Sequence, residues 1–226
     1  MRDLVRVAWA IAAKDVLLEF RSRTAFASAL VFTALVLAIL NFARDPTAVS
    51  AHSLAPGALW ITFTFAGMLG LNRAFGLERE NRALDGLLLS PASRTAVYVG
   101  KVAANLVFVG AVEAVALPLF ALFFNVPVVP VLGPLVLVIA LATLGFVAVG
   151  TLMSSMAVNT RLAELMLPVL LLPFLVPPVT AAVQLTAHLF AGRPFSAAFG
   201  WLRLLLGYDV IFVAACILLF ESTIEE

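Results

Sequence analysis

The chain is short of almost everything a soluble enzyme uses. Of its 226 residues only 12% are charged, two are lysine, two are histidine and one is cysteine. No charged side chain occurs in residues 24–43, 46–72, 114–160 or 165–192. The lone Cys216 excludes an internal disulfide and a cysteine-based metal site. Inside an apolar run it reads as a small packing residue. The scarcity of charge excludes a soluble fold, because a folded surface needs polar groups for solvation. A phosphate-binding loop is also missing. Gly100-Lys101-Val102 lacks the upstream glycine and the Ser or Thr that would hold magnesium, so any ATP must be hydrolysed by a separate subunit. No cluster of His, Asp and Glu and no Ser–base pair supports an intramembrane enzyme. Nothing points to a nucleic-acid partner.

What is abundant is apolar: 63% of residues are hydrophobic and the mean hydropathy is +1.11. A bilayer core of about 30 Å needs about 20 such residues per helix. Six spans are predicted near 24–42, 54–72, 102–124, 131–157, 165–187 and 204–220. The fold class is therefore an all-α membrane protein, with residues 1–226 forming a single transmembrane domain. Arg2, Asp3, Arg6, Lys14, Asp15 and Glu19 interrupt any signal-peptide core. Residues 1–23 instead predict an interfacial helix. Trp9 suits the headgroup region, while Asp15 and Glu19 beside Leu17 and Leu18 imply packing partly on protein. Pro168, Pro173, Pro177 and Pro178 predict a kinked or broken fifth span, with 173–200 partly re-entrant.

Basic residues set the orientation. Arg2, Arg6, Lys14, Arg21, Arg23, Arg73, Arg79, Arg82, Arg94, Lys101 and Arg161 fall on one side, against Arg44, Arg193 and Arg203 on the other. Six spans then place both termini in the cytoplasm.

The longest charged connector, 73–94, predicts a short amphipathic helix at 77–89. At about 100° per residue, Leu77, Leu84 and Leu88 share one face. Glu78, Arg82 and Asp85 lie on another, with Glu78 and Arg82 at i,i+4 spacing. Ser90 and Pro91 end the helix. Such a helix fits a lever pushed by a nucleotide-binding partner, and equally a solvated connector.

Ionisable groups inside a membrane are candidates for function. Glu113 lies twelve residues past Lys101, about 18 Å along a helix, near mid-membrane. It suits either a polar cleft or a carboxyl bonded to a neighbouring helix. Lys101 is expected to snorkel to the cytoplasmic surface. Asp209 is expected near the outer end of the sixth span, paired with Arg203 or capping the helix. His52 and His188, both on the outer side, are the candidates for axial haem ligands, or simply exposed loop histidines. Gly100 with Ala104, and Gly150 with Ser154, have the spacing for close helix packing.

Several blocks resemble a known family. They are Ala55-Pro-Gly-Ala-Leu-Trp60, Arg73-x-Phe75, Glu78-Arg79-Glu80 leading to Ala83-Leu-Asp-Gly-Leu-Leu-Leu-Ser-Pro91, and Lys101. The opening Lys14-Asp-Val-Leu-Leu-Glu19, the Val158-Asn-Thr-Arg161 loop and Tyr208-Asp-Val-Ile-Phe212 also fit. Together they resemble cytochrome c maturation protein B, the haem-exporter-type permease of an ABC transporter. The acidic-Leu-Leu-Leu segment alone indicates only an ABC-2-type permease; the preceding Ala-Pro-Gly-x-x-Trp block is more specific. The resemblance implies an inner-membrane homodimer with a CcmA-like ATPase subunit that binds the ATP. It also implies CcmC- and CcmD-like membrane partners that handle the haem, with no cofactor on this subunit. The segment with Leu77, Glu78, Arg79, Arg82, Leu84, Asp85 and Leu88 would couple to the ATPase. Work would go into haem export or into release of a haem-loaded chaperone. An ABC-2 permease for a lipid or drug, and a scaffold for haem-handling proteins, are the alternatives.

Overall fold

Helix follows helix in the computed structural model, which describes residues 2–45, 47, 50–73, 93–157 and 163–223. In chain order they are α1 Arg2–Ser22, α2 Thr24–Phe42, α3 Ala51–Arg73, α4 Arg94–Phe124, α5 Leu132–Ala157, α6 Ala163–Phe190 and α7 Phe199–Thr223. Short 3-10 turns at Val129–Val131 and Phe195–Ala198 lead into α5 and α7. No strand occurs among the described residues. Apolar runs of this length leave no water for backbone groups, and the helix satisfies them internally. From α2 to α7, six helices are long and apolar enough to cross a membrane. The chain is a multi-pass membrane protein.

Punctuation is local. Arg23 adopts the left-handed conformation at φ 54° and separates α1 from α2 by a single residue. The Ser93 Oγ accepts from the Ala96 N–H at 3.3 Å and caps α4. Asn125, at φ 50°, ends it. Gly192 at φ 64° ends the turn after α6, where a side chain would be strained.

The packing has two apolar centres, one toward each end of the bundle. Trp60, Phe63, Phe120, Phe124, Leu135, Leu185 and Leu205 form the first. Leu71, Tyr98, Val147, Leu152, Leu171 and Phe220 form the second. Helix α5 runs through both and packs on α3, α4, α6 and α7. It is the most deeply buried of the six spans, whereas α2 and α7 are the least, so α5 is the central post and those two are peripheral.

Small residues let the helices close up. A Cβ at Gly100 would stand 2.7 Å from the Ala8 carbonyl oxygen and 2.9 Å from the Ile11 Cβ, so α1 rests directly on α4 there. A Cβ at Gly150 would collide with Leu71. One turn on, Ser154 Oγ donates to the Leu71 carbonyl at 2.9 Å. That carbonyl lies in the last turn of α3, where no intrahelical donor remains.

Two expectations are corrected here. Helix α4 starts at Arg94 rather than near 102, so Arg94 and Lys101 belong to it and not to a loop. The fifth span is not broken: α6 runs uninterrupted through Pro168, Pro173, Pro177 and Pro178, and residues 173–190 do not turn back as a re-entrant piece. Neighbouring side chains supply part of what proline removes. Pro178 has no N–H for the Phe174 carbonyl, and Tyr208 Oη donates to that carbonyl at 2.9 Å from α7.

Candidate functional site

Glu113 lies nineteen residues into α4 and eleven before its end, so its depth is about mid-span. It is 7% exposed. Thr143 Oγ1, from the middle of α5, donates to Glu113 Oε1 at 2.7 Å. No described residue donates to Oε2. The carboxyl separates two spaces. Inward is a cavity of about 20 Å³ bounded by Trp60, Thr64, Phe146 and Pro178, large enough for a single water. Outward is an open groove of about 470 Å³ between α4 and α5. An acceptor held at this depth can take a proton or a hydrogen-bond donor from whatever occupies either space.

Trp60, from the Ala-Pro-Gly-x-x-Trp block, closes the inner cavity. Its Nε1 donates to Thr186 Oγ1 at 2.9 Å, tying α3 to α6. Buried Ala55, Ala58 and Leu59 pack beside it, so the block serves helix packing next to the carboxyl.

Lys101 does not snorkel. It is 1% exposed, and its Nζ stands 2.9 Å from Asp15 Oδ2. Asp15 also receives Lys14, at 2.9 Å through Oδ1. The docking of α1 over Gly100 covers Lys101, and a buried ammonium needs a counter-charge. Val5, Trp9 and Leu17 of α1 are exposed, interspersed with the exposed Asp3, Arg6 and Arg21.

Asp209 is also corrected. It sits ten residues into α7, 5% exposed, and neither oxygen has a hydrogen-bond partner. It neither pairs with Arg203 nor caps the helix. It lies instead against Gly145 on α5, two residues from Thr143. Both intramembrane carboxyls therefore meet α5 at nearly the same level.

His52 is exposed in the first turn of α3, and His188 lies in the last turn of α6. The Nδ1 of His188 meets the Gln184 carbonyl at 2.9 Å. The two belong to the same end of the bundle, each held on its own helix. Among the described residues no group of three His, Cys, Asp or Glu could hold a metal.

The predicted coupling residues Leu77, Glu78, Arg79, Arg82, Leu84, Asp85 and Leu88, and Arg161, lie outside the described residues. Sequence reasoning missed Thr143, Asp15 as the partner of Lys101, and the Tyr208 hydroxyl. For Thr143 the available signal was a hydroxyl in the middle of the apolar run 131–150.

Comparison with known proteins covers nearly the whole chain. Residues 6–224 match the family model described as CcmB protein. The heme exporter protein B of Pseudomonas aeruginosa is 29% identical over 192 residues, covering 84% of this chain and 85% of that one. That of Rhodobacter capsulatus is 30% identical over 176 residues, 78% and 80% of the two chains. That of Paracoccus denitrificans is 29% identical over 213 residues, 84% and 95%.

Proposed function

The chain belongs to the CcmB protein family, and from that membership we propose that it is the membrane subunit of a haem-export system for cytochrome c maturation. In this reading it is the non-catalytic permease subunit of an ABC transporter in the bacterial inner membrane. A separate CcmA-like subunit binds and hydrolyses ATP. Two copies of this chain form the membrane core, associated with CcmC- and CcmD-like proteins that handle the haem. The connector with Leu77, Leu84 and Leu88 on one face and Glu78, Arg79, Arg82 and Asp85 beside it is the contact to the ATPase.

The observation that carries this reading is the family match across residues 6–224, on a chain with six helices able to span a bilayer. The curated relatives it matches are named heme exporter protein B. The test is complementation followed by transport. A host lacking its own copy should recover covalent haem in its c-type cytochromes when this chain is supplied with its ATPase. In inverted vesicles, ATP-dependent haem accumulation supports passage of haem. Release of a haem-loaded chaperone without accumulation supports work delivered to the chaperone instead. Neither, with ATPase activity stimulated by a lipid or drug, would favour a permease for another substrate.

A further inference from the structure

We propose that the groove between α4 and α5 is the seat of a transmembrane helix from a different membrane protein, one that brings a hydrogen-bond donor or cation to Glu113. This surface goes beyond the functional reading above and requires only that the chain lies in a bilayer.

The groove is made by small residues. Gly110 and Ala114 stand four apart on α4, and Ala140 faces them from α5. A Cβ added at Gly110 would meet nothing within 4 Å. Gly67, Gly70, Gly100, Gly145 and Gly150 each have a neighbour where a Cβ would go, whereas Gly110 is open, as are Gly57, Gly133, Gly200 and Gly207; of these open glycines it is the one beside a buried carboxyl in a groove wall. The Gly110–Ala114 pair has the spacing that lets two membrane helices approach closely, and none of the described helices occupies it.

The second observation is the carboxyl in the groove wall. Glu113 is more than nine-tenths buried, and among the described residues only Oε1 of its two oxygens meets a donor. A carboxylate has about four lone-pair sites. The partner of the ionised carboxyl must donate, and it must do so at mid-depth. That depth decides between occupants. A phospholipid keeps its amine or hydroxyl in the headgroup layer, about 15 Å from the midplane of a 30 Å core. A transmembrane helix with Ser, Thr or His halfway along carries a donor to that level, and a Lys or Arg there, costly when alone, is compensated by pairing with such a carboxyl. A second copy of this chain docked with its two-fold axis at Glu113 would set carboxyl against carboxyl, a like-charge pair that holds together only if one of the two keeps its proton. The complementary chemistry belongs to another chain.

The experiment uses the complex purified from native membranes. With a photoreactive residue at Ala140, irradiation should give an adduct with a co-purifying membrane protein. Its crosslinked peptide, sequenced by mass spectrometry, should fall in a transmembrane segment with a donor side chain within one turn of the adduct. Gly110→Trp fills the hollow and should reduce both the adduct and the co-purified protein on the order of tenfold. Glu113→Gln, which keeps an acceptor, should reduce them less than Glu113→Leu. Leu122→Trp, on an exposed part of α4 away from the groove, should leave them unchanged. Adducts confined to phospholipid would overturn the proposal in favour of a lipid site. Adducts joining two copies of this chain would overturn it in favour of a homodimer face. Wild-type partner recovery with Gly110→Trp, in a protein that still inserts, would also overturn it.

Discussion

At the scale of single residues the structure is held by polar contacts that no local pattern announces. The Tyr208 hydroxyl takes the place of the N–H that Pro178 lacks. Tyr208→Phe should therefore strand the Phe174 carbonyl and cost about 1–3 kcal/mol. Pro178→Ala restores an N–H and should recover most of that loss when combined with it. Thermal unfolding in detergent, followed by a thiol-reactive fluorophore, measures this cycle cleanly, because Cys216 is the sole cysteine and is buried. Additive losses in the double variant would show that the two positions are not coupled. The ion pair of Lys101 with Asp15 makes a second cycle. Lys101→Met leaves Asp15 with only the exposed Lys14 as counter-charge and should destabilise the docking of α1 by about 1–3 kcal/mol, below the cost of a fully broken buried pair. Adding Asp15→Leu should restore most of it. Protease cleavage near residue 23 reports the undocked helix, and equal cleavage of single and double variants would reject the pairing as its cause.

At the scale of elements, the spans were legible because charge is absent from them. A stretch such as 114–160 contains no group that must remain in water, so its place in the membrane follows from composition. Proline was a poorer guide. Four prolines within eleven residues predict a break when α6 is considered alone. The break is avoided because a hydroxyl from α7 reaches one of the freed carbonyls, and Tyr208 is 34 positions away from Phe174. Lys101 shows the same thing. Its helical neighbours suggest a surface, while the residue that neutralises it comes from α1. The carboxyl of Glu113 was visible as an anomaly in an apolar run, but its donor Thr143 and its groove arise only when α4 meets α5. The connector between α3 and α4 carries a prediction of its own. Leu84→Asp with Leu88→Asp would bury unpaired carboxylates in a helix-binding groove of the ATPase, costing several kcal/mol. The variant should insert normally, since it changes nothing in a span. It should fail to co-purify with the ATPase and fail to mature cytochrome c. Normal co-purification and normal maturation would remove this connector as the coupling contact.

At the scale of the whole molecule, orientation rests on where the arginines fall. Reporter fusions after residues 47 and 193 should read periplasmic, and those after 90 and 226 cytoplasmic. A periplasmic signal at 90 would reverse the assignment, and with it the access of any ATPase to the 77–89 connector. The bundle itself is consistent with either orientation, because both of its ends are apolar inside and helix length alone does not choose a side.

The docking of α1 on α4 also has a timetable. Asp15 leaves the ribosome 86 residues ahead of Lys101, and at about 5–20 residues per second the delay is on the order of 4–17 s. During that interval two spans are delivered to the bilayer while the first helix of the protein has nothing to bind. Its exposed Val5, Trp9 and Leu17 can sit at the lipid surface with Arg6 among the headgroups, which keeps the helix close to the point where α4 will emerge. Helix α1 is thus made well ahead of the helix it docks on, and reaches its place only once α4 is present. A bulky fusion at Met1 that holds it away from the membrane should slow assembly without altering any span.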